Sequence, residues 1–421
     1  MPLDESSLSP ELAARCAADG EFRLAARHWT GGLRMETPTQ TLGVALIGGD
    51  ARPGELAKGA DGVITLSADE AAWRDLLAAT PPRFATDITL MVGAGRMALD
   101  GDRVLYAQYY PAIMRAIELL RPPADQPPPP AARPHGAFDA PVGRYVHLTL
   151  AGQDHRIYVE EAGAGIPVLL QHTAGCHGSQ WRHLMECDAI TDHFRLIAYD
   201  LPFHGKSLPP VGPRWWAEDY RLTGDFLRSM PVSVSRALGL ERPVFMGCSV
   251  GGLLALDLAR RHPEDFRAVI SLEGALKIEQ DIEALWALWH PQVSNDYKAR
   301  LMNALMSPTS PEAFRKETSQ VYAAGWPPAF LGDLFYYCVD YDLRAEAAKI
   351  DTAKVAVHIL SGEYDASGTA ELGEAAHRAI AGSTFQVMKG VGHFPMSENP
   401  EAFIGFLTPV LDEIRRRGDG R

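Results

Sequence analysis

The chain has 421 residues, 46 % of them hydrophobic, enough for one large core or two separate ones. Its net charge of −13 is dispersed, and no basic stripe appears outside a short IRRRGDGR tail, which argues against nucleic acid or an anionic membrane as partner. Five cysteines with no CxxC spacing argue against a disulfide framework and for a reducing compartment.

The opening residues, MPLDESSLSPELAARC, lack the basic start and apolar core of a secretory signal. No apolar run approaches the ~18 residues needed to span a bilayer. The expected location is the cytoplasm. Residues 1–121 read as a small α+β domain. TLGVALIGG and DGVITLS have the short apolar pattern of strands, whereas ADEAAWRDLLAAT and YAQYYPAIMRAIELLR have the period of amphipathic helices. Residues 122–141 hold four consecutive prolines, which cannot continue a helix or join a sheet interior, and are expected to form an extended linker.

From residue 142 to 421, apolar runs alternate with helical segments. RIYVEEA, PVLLQH, FRLIAYD, PVFMGC, AVISLEG, VAVHILSG and TFQVMKG are continuous enough to be strands covered on both faces. The alternation predicts a mostly parallel sheet flanked by helices, an α/β class. Between two of these strands lies a long helical stretch, about 275–350, too long for a plain connection and read as a cap. Its aromatic residues Trp286, Trp289, Trp326 and Tyr336 are candidates for substrate contact.

VFMGCSVGGLLALDLARRHP places Ser249 between a strand and a helix with glycine two positions to either side. This is the G-x-S-x-G pattern of a nucleophile presented on a sharp turn. A serine hydroxyl is a weak nucleophile and needs a base held in the right tautomer. Asp365 and His393 follow in the order acid then histidine, each just beyond a predicted strand. Glu363 is the rival to Asp365. The backbone N–H of Val250 is one expected donor to a developing oxyanion. The second is Ala174, with Thr173 as the alternative, in the small-residue loop HTAG after an early strand. Cys248 is expected to be a buried residue behind the turn. His172, Cys176, His177, His183 and Cys187 fit no defensible zinc spacing, so neither metal nor other cofactor is expected.

These motifs, with YDLPFHGKS (Asp200, Gly205, Ser207) and GVGHFPMSENPEAF, make residues 142–421 resemble the α/β-hydrolases of the capped esterase and C–C hydrolase type. His204 is taken to stand where that family's loop usually has glycine. The resemblance implies an acyl-enzyme on Ser249 and a small-molecule ester substrate with an apolar or aromatic part. The alternatives are cleavage of a C–C bond in a ring-fission diketone, or a non-catalytic lipid-binding or receptor protein on a hydrolase scaffold. A strand, a helix, Gly95 to Asp102 and a closing helix resemble the second half of a sterol-carrier-protein lipid-binding domain. For that first domain, homo-oligomer assembly, such as a dimer, is the favoured role over lipid binding.

Overall fold

The computed structural model describes residues 5–123, 127, 128 and 130–419. Part of the expected linker, residues 124–126 and 129, and the last two residues of the tail lie outside them. The chain forms two compact units.

The first comprises residues 1–127 together with 289–304. Its sheet has strands β1 (Gly31–Glu36), β2 (Thr41–Ile47), β3 (Asp50–Pro53), β4 (Val63–Ser67) and β5 (Ala98–Asp100), in the order β3-β2-β1-β4-β5. Only β1 and β4 run parallel. The helix Arg103–Leu120 buries Tyr110, Ile113, Met114 and Ile117, whose 3–4-residue spacing lays one face against the sheet. Asp102 starts it, accepting the Leu105 N–H at 2.7 Å. Phe22, Trp29, Leu33, Leu66 and Trp73 complete the core.

Residues 289–304, expected in the cap, belong to this first unit instead. Tyr297 and Leu301, one turn apart on the helix Asn295–Ala304, pack on its core. The Tyr297 ring lies 5.3 Å from that of Tyr110, and Arg300 pairs with Glu118 at 2.7 Å. Gln108 donates to the Gln292 carbonyl at 2.9 Å, and Thr86 to that of Ala304 at 3.2 Å. A fragment containing only 142–421 carries this helix without the core it packs into. Burying one such side chain completely is worth about 1.5–3 kcal/mol. The fragment should therefore melt well below the full chain and bind a hydrophobic dye. Equal melting temperatures in a thermal scan would show that residues 289–304 do not depend on the first unit.

The second unit, residues 128–288 and 305–421, holds an eight-stranded sheet. Its strands are β6 (Val142–Leu150), β7 (Gln153–Ala162), β8 (Ile166–Gln171), β9 (Phe194–Tyr199), β10 (Val244–Cys248), β11 (Ala268–Leu272), β12 (Ala356–Gly362) and β13 (Thr384–Met388). The order is β13-β12-β11-β10-β8-β9-β7-β6. From β9 to β13 every neighbouring pair is parallel, and β7 pairs antiparallel with both β6 and β9. Every residue of β10, β11 and β12 is buried, which is why their sequences are apolar without alternation. One face packs Met246, Ile270 and Leu360 against Phe403, Leu407 and Leu411 of the last helix, Pro400–Asp419. The loops after β8, β10, β11, β12 and β13 leave the same, carboxyl end of the sheet, where ligands bind in open α/β folds.

Candidate active site

Ser249 follows β10 with φ 59° and ψ −113°, a strained backbone for a residue with a side chain. The turn is fastened by its N–H to the Leu272 carbonyl at 2.9 Å and by its own carbonyl, which accepts the Leu253 N–H at 2.9 Å. The two flanking glycines are required by space. A Cβ on Gly247 would lie 2.7 Å from Gly251 Cα, and one on Gly251 would lie 2.9 Å from Gln171 Cγ. The next residue, Val250, opens the helix Val250–Arg261, and its N–H has no acceptor among the described residues.

Cys248 is buried behind this turn and its Sγ contacts the His393 carbonyl at 3.1 Å. Burial, reinforced by the carboxyls of Glu273, Asp365 and Glu398, pushes its thiol well above the ordinary value. It is not a thiolate nucleophile.

His393 and Asp365 come together. His393 Nδ1 lies 2.8 Å from Asp365 Oδ2, both side chains being almost wholly buried, although the ring N–H is not aligned with the contact. Such misalignment is common before substrate binds. Asp365 also accepts the N–H groups of Ser367 (2.7 Å) and Gly368 (3.0 Å). Glu363 points elsewhere. Its carboxylate, one-third exposed, takes Lys389 Nζ and the Gly390 N–H, each at 2.9 Å.

Two acids that the motifs did not single out support this pair. Glu398 accepts the N–H groups of Gly392 (2.6 Å), Phe394 (3.3 Å) and Ser307 (3.1 Å), and the Ser310 hydroxyl (2.8 Å). It thereby fixes the loop on both sides of His393, whose own N–H donates to the Leu305 carbonyl at 3.0 Å. Glu273, just past β11 with φ 56°, accepts the Gly362 N–H on both oxygens at 2.9 and 2.8 Å. Burial, and then the adjacent Asp365, raises the Glu273 carboxyl well above the usual carboxylate range. A G-x-S-x-G search has no means of finding either acid; the nearest signals are the SLEG and SENP runs at the strand and loop ends.

The loop after β8 holds the other candidate donor. Thr173 N–H is taken by Gln180 Oε1 (3.0 Å), Gly175 N–H by Asp333 Oδ2 (2.7 Å) and Cys176 N–H by the Thr173 carbonyl (3.3 Å). Among the described residues, the Ala174 N–H has no acceptor. Of the two donors considered, Thr173 is thus already committed. His172 is neutral: Nδ1–H donates to the Thr173 carbonyl at 2.8 Å and Nε2 accepts the Leu201 N–H at 3.1 Å.

The cap residues are divided. Trp326 stacks on Phe203 at 5.2 Å and meets Trp215 edge-on at 5.8 Å. Trp286 lies half-buried in the short helix Ile282–Leu288. Trp289 belongs to the first unit and not to the cap in which it was expected, and it is 48 % exposed. Tyr336 is also misplaced as a substrate contact, since its hydroxyl is spent on Asp257 at 3.3 Å. Its neighbour Tyr337 is the one near the nucleophile, its hydroxyl bonded to Ser367 Oγ at 3.0 Å. A second correction concerns the loop after β9. The residue with the glycine-like backbone is Phe203, at φ 72°, and not His204.

Residues 166–400, more than half of the chain, match the family described as alpha/beta hydrolase fold. The chain belongs to that family. A 3-oxoadipate enol-lactonase of Acinetobacter baylyi is 27 % identical over 62 % of this α/β-hydrolase and 96 % of the relative. A pimeloyl-[acyl-carrier protein] methyl ester esterase of Neisseria meningitidis is 28 % identical over 49 % of this chain and 73 % of its own. Among solved structures, a thermophilic esterase from Thermogutta terrifontis superposes with a TM-score of 0.55 at 20 % identity, over 64 % of this chain and 99 % of its own. That likeness bears on the fold alone. Among the described residues, no helix of this hydrolase is long and apolar enough to cross a membrane.

Proposed function

We propose that this α/β-hydrolase cleaves a carboxylic ester through an acyl-enzyme on Ser249. The observation that carries the reading is the strained turn presenting Ser249, with the loop of the buried His393–Asp365 pair held against that turn through the contact of Cys248 Sγ with the His393 carbonyl. In the proposed sequence, Ser249 Oγ attacks the ester carbonyl carbon and its proton passes to His393 Nε2. The tetrahedral oxyanion is held by the Val250 and Ala174 N–H groups. His393 then protonates the leaving alcohol, and a water deprotonated by the same ring hydrolyses the acyl-enzyme. Asp365 holds the ring with Nδ1 protonated throughout.

A relative named as a lactonase and another named as a methyl ester esterase both favour attack at an acyl carbon. The aromatic group of Trp326, Phe203, Trp215 and Tyr220 supports an apolar or aromatic substrate part. For the first unit, assembly into a homo-oligomer is the favoured role, supported by a core packed with its own residues, Tyr297 and Leu301 among them.

A turnover panel tests the reading: small and bulky chromogenic esters beside a vinylogous diketone. Ester turnover is expected, with Trp326→Ala raising KM for bulky aryl esters more than it lowers kcat for small ones. Turnover of the diketone alone would replace the ester reading with C–C cleavage. A uniform loss across esters in Trp326→Ala would make that ring a packing element.

A further inference from the structure

The loop that carries Ala174 is held from the cap. The helix Pro327–Leu334 lies on it so closely that a Cβ on Gly175, a residue at φ 63°, would fall 2.6 Å from Phe330 Cβ. From the same helix the buried Asp333 reaches down. Its Oδ2 accepts the Gly175 N–H at 2.7 Å and His204 Nε2 at 2.9 Å, and its Oδ1 accepts the Tyr220 hydroxyl at 2.9 Å. A buried carboxylate is costly unless it is paired and its lone pairs are satisfied.

The pairing is ionic. His204 Nδ1 faces the Pro202 carbonyl at 2.8 Å and Nε2 faces the carboxylate, two groups that can only accept, so both ring nitrogens carry protons. Burial pushes the imidazole down, but the Asp333 carboxylate outweighs it and the His204 value is raised. The other titratable groups near His204 are His172, with its ring 5.1 Å away and neutral, His177, Asp200 and Tyr220.

We propose that Asp333 is a positioning residue for the oxyanion site: by gripping the Gly175 N–H from the cap, it aims the adjacent Ala174 N–H at the reacting carbonyl. This deepens the serine-hydrolase reading and rests on it. The Ala174 N–H belongs to the Thr173–Ala174 peptide, whose carbonyl accepts His172 Nδ1 at 2.8 Å and the Cys176 N–H at 3.3 Å; Asp333 holds the next peptide through the Gly175 N–H, so only φ and ψ of Ala174 lie between two anchored planes. With Gly175 unpaired, the second plane is released and the dihedrals of Ala174 can relax, turning its N–H off the line to the reacting carbonyl. The ground-state ester, bound mainly by apolar contacts, loses little, whereas the tetrahedral oxyanion loses one of two donors.

The test is Asp333→Leu and Asp333→Asn in the full-length protein, assayed on a small chromogenic ester and with an aryl trifluoromethyl ketone. That ketone accepts Ser249 Oγ at its carbonyl carbon while the serine proton moves to His393, leaving a tetrahedral oxyanion in the same site. Asp333→Leu is expected to lower kcat roughly 10²–10³-fold with KM within about threefold, and to weaken the ketone in proportion to kcat/KM. Asp333→Asn keeps an oxygen for Gly175 and should recover most of that loss. Should Asp333→Leu fail to fold, Tyr220→Phe removes one of the three bonds that orient the carboxylate. It should cost kcat roughly threefold to tenfold, the equivalent of one hydrogen bond, without moving KM.

Normal kcat and ketone affinity in a folded Asp333→Leu, or in Tyr220→Phe where the leucine variant does not fold, would overturn the proposal. So would a loss confined to KM. Ser249→Ala run alongside separates the two failures. If it retains turnover, the serine reading itself falls; if it is inactive while Asp333→Leu is normal, only the role of Asp333 does.

Discussion

Ser249→Ala is expected to lower ester turnover by roughly 10⁴–10⁶-fold and to abolish labelling by a fluorophosphonate probe. The size follows from losing the attacking atom itself, after which only the oxyanion donors and substrate binding remain to accelerate attack by water. Stability should change little. Alanine meets the same unfavourable φ of 59° as serine, and the bonds that hold the turn, to Leu272 and Leu253, are made by its backbone. A small loss of turnover measured with initial rates, alongside retained labelling, would place the nucleophile elsewhere.

Asp365→Asn should cost about 10⁴-fold in kcat. The amide nitrogen can donate where the carboxylate only accepted, so His393 can bind it with Nδ1 deprotonated. That tautomer puts the proton on Nε2, the atom that must receive one from Ser249. Glu363→Gln should change kcat less than about threefold, because Glu363 is engaged with Lys389 and Gly390 at the surface. Steady-state kinetics of the two variants decide between the acids, and the reverse ranking would assign the role to Glu363.

The central strands β10, β11 and β12 were legible because burial of every residue leaves a largely apolar run, whereas the edge strand β13, alternately exposed, was legible from its Phe385 and Val387. β8 to β13 all coincide with runs read from the sequence. β1, with its Gly-Gly start and its Arg34 and Glu36, and the solvent-facing β3 and β6 have no such signature. Ser249, Asp365 and His393 could be found because each occupies a fixed place relative to a strand end. Glu273 and Asp333 could not. Their significance comes from burial against a partner distant in sequence, Gly362 for one and Gly175 for the other, and nothing local marks it. Tyr336 and Tyr337 are adjacent and identical in type, so composition cannot say which faces Ser249; the π-helical turn Phe335–Asp340 sends one to Asp257 and the other toward the nucleophile.

The membership of residues 289–304 in the first unit sets a timetable for synthesis. Residues 1–127 leave the ribosome early, yet the helix bearing Tyr297, Arg300 and Leu301 is translated only after most of the second unit's strands. At typical elongation rates of 5–20 residues per second, that interval is roughly ten to thirty-five seconds. For that time the nascent first unit has Glu118 without Arg300 and the Tyr110 face without Tyr297. The first unit's core is therefore completed late, only when the returning helix has been made.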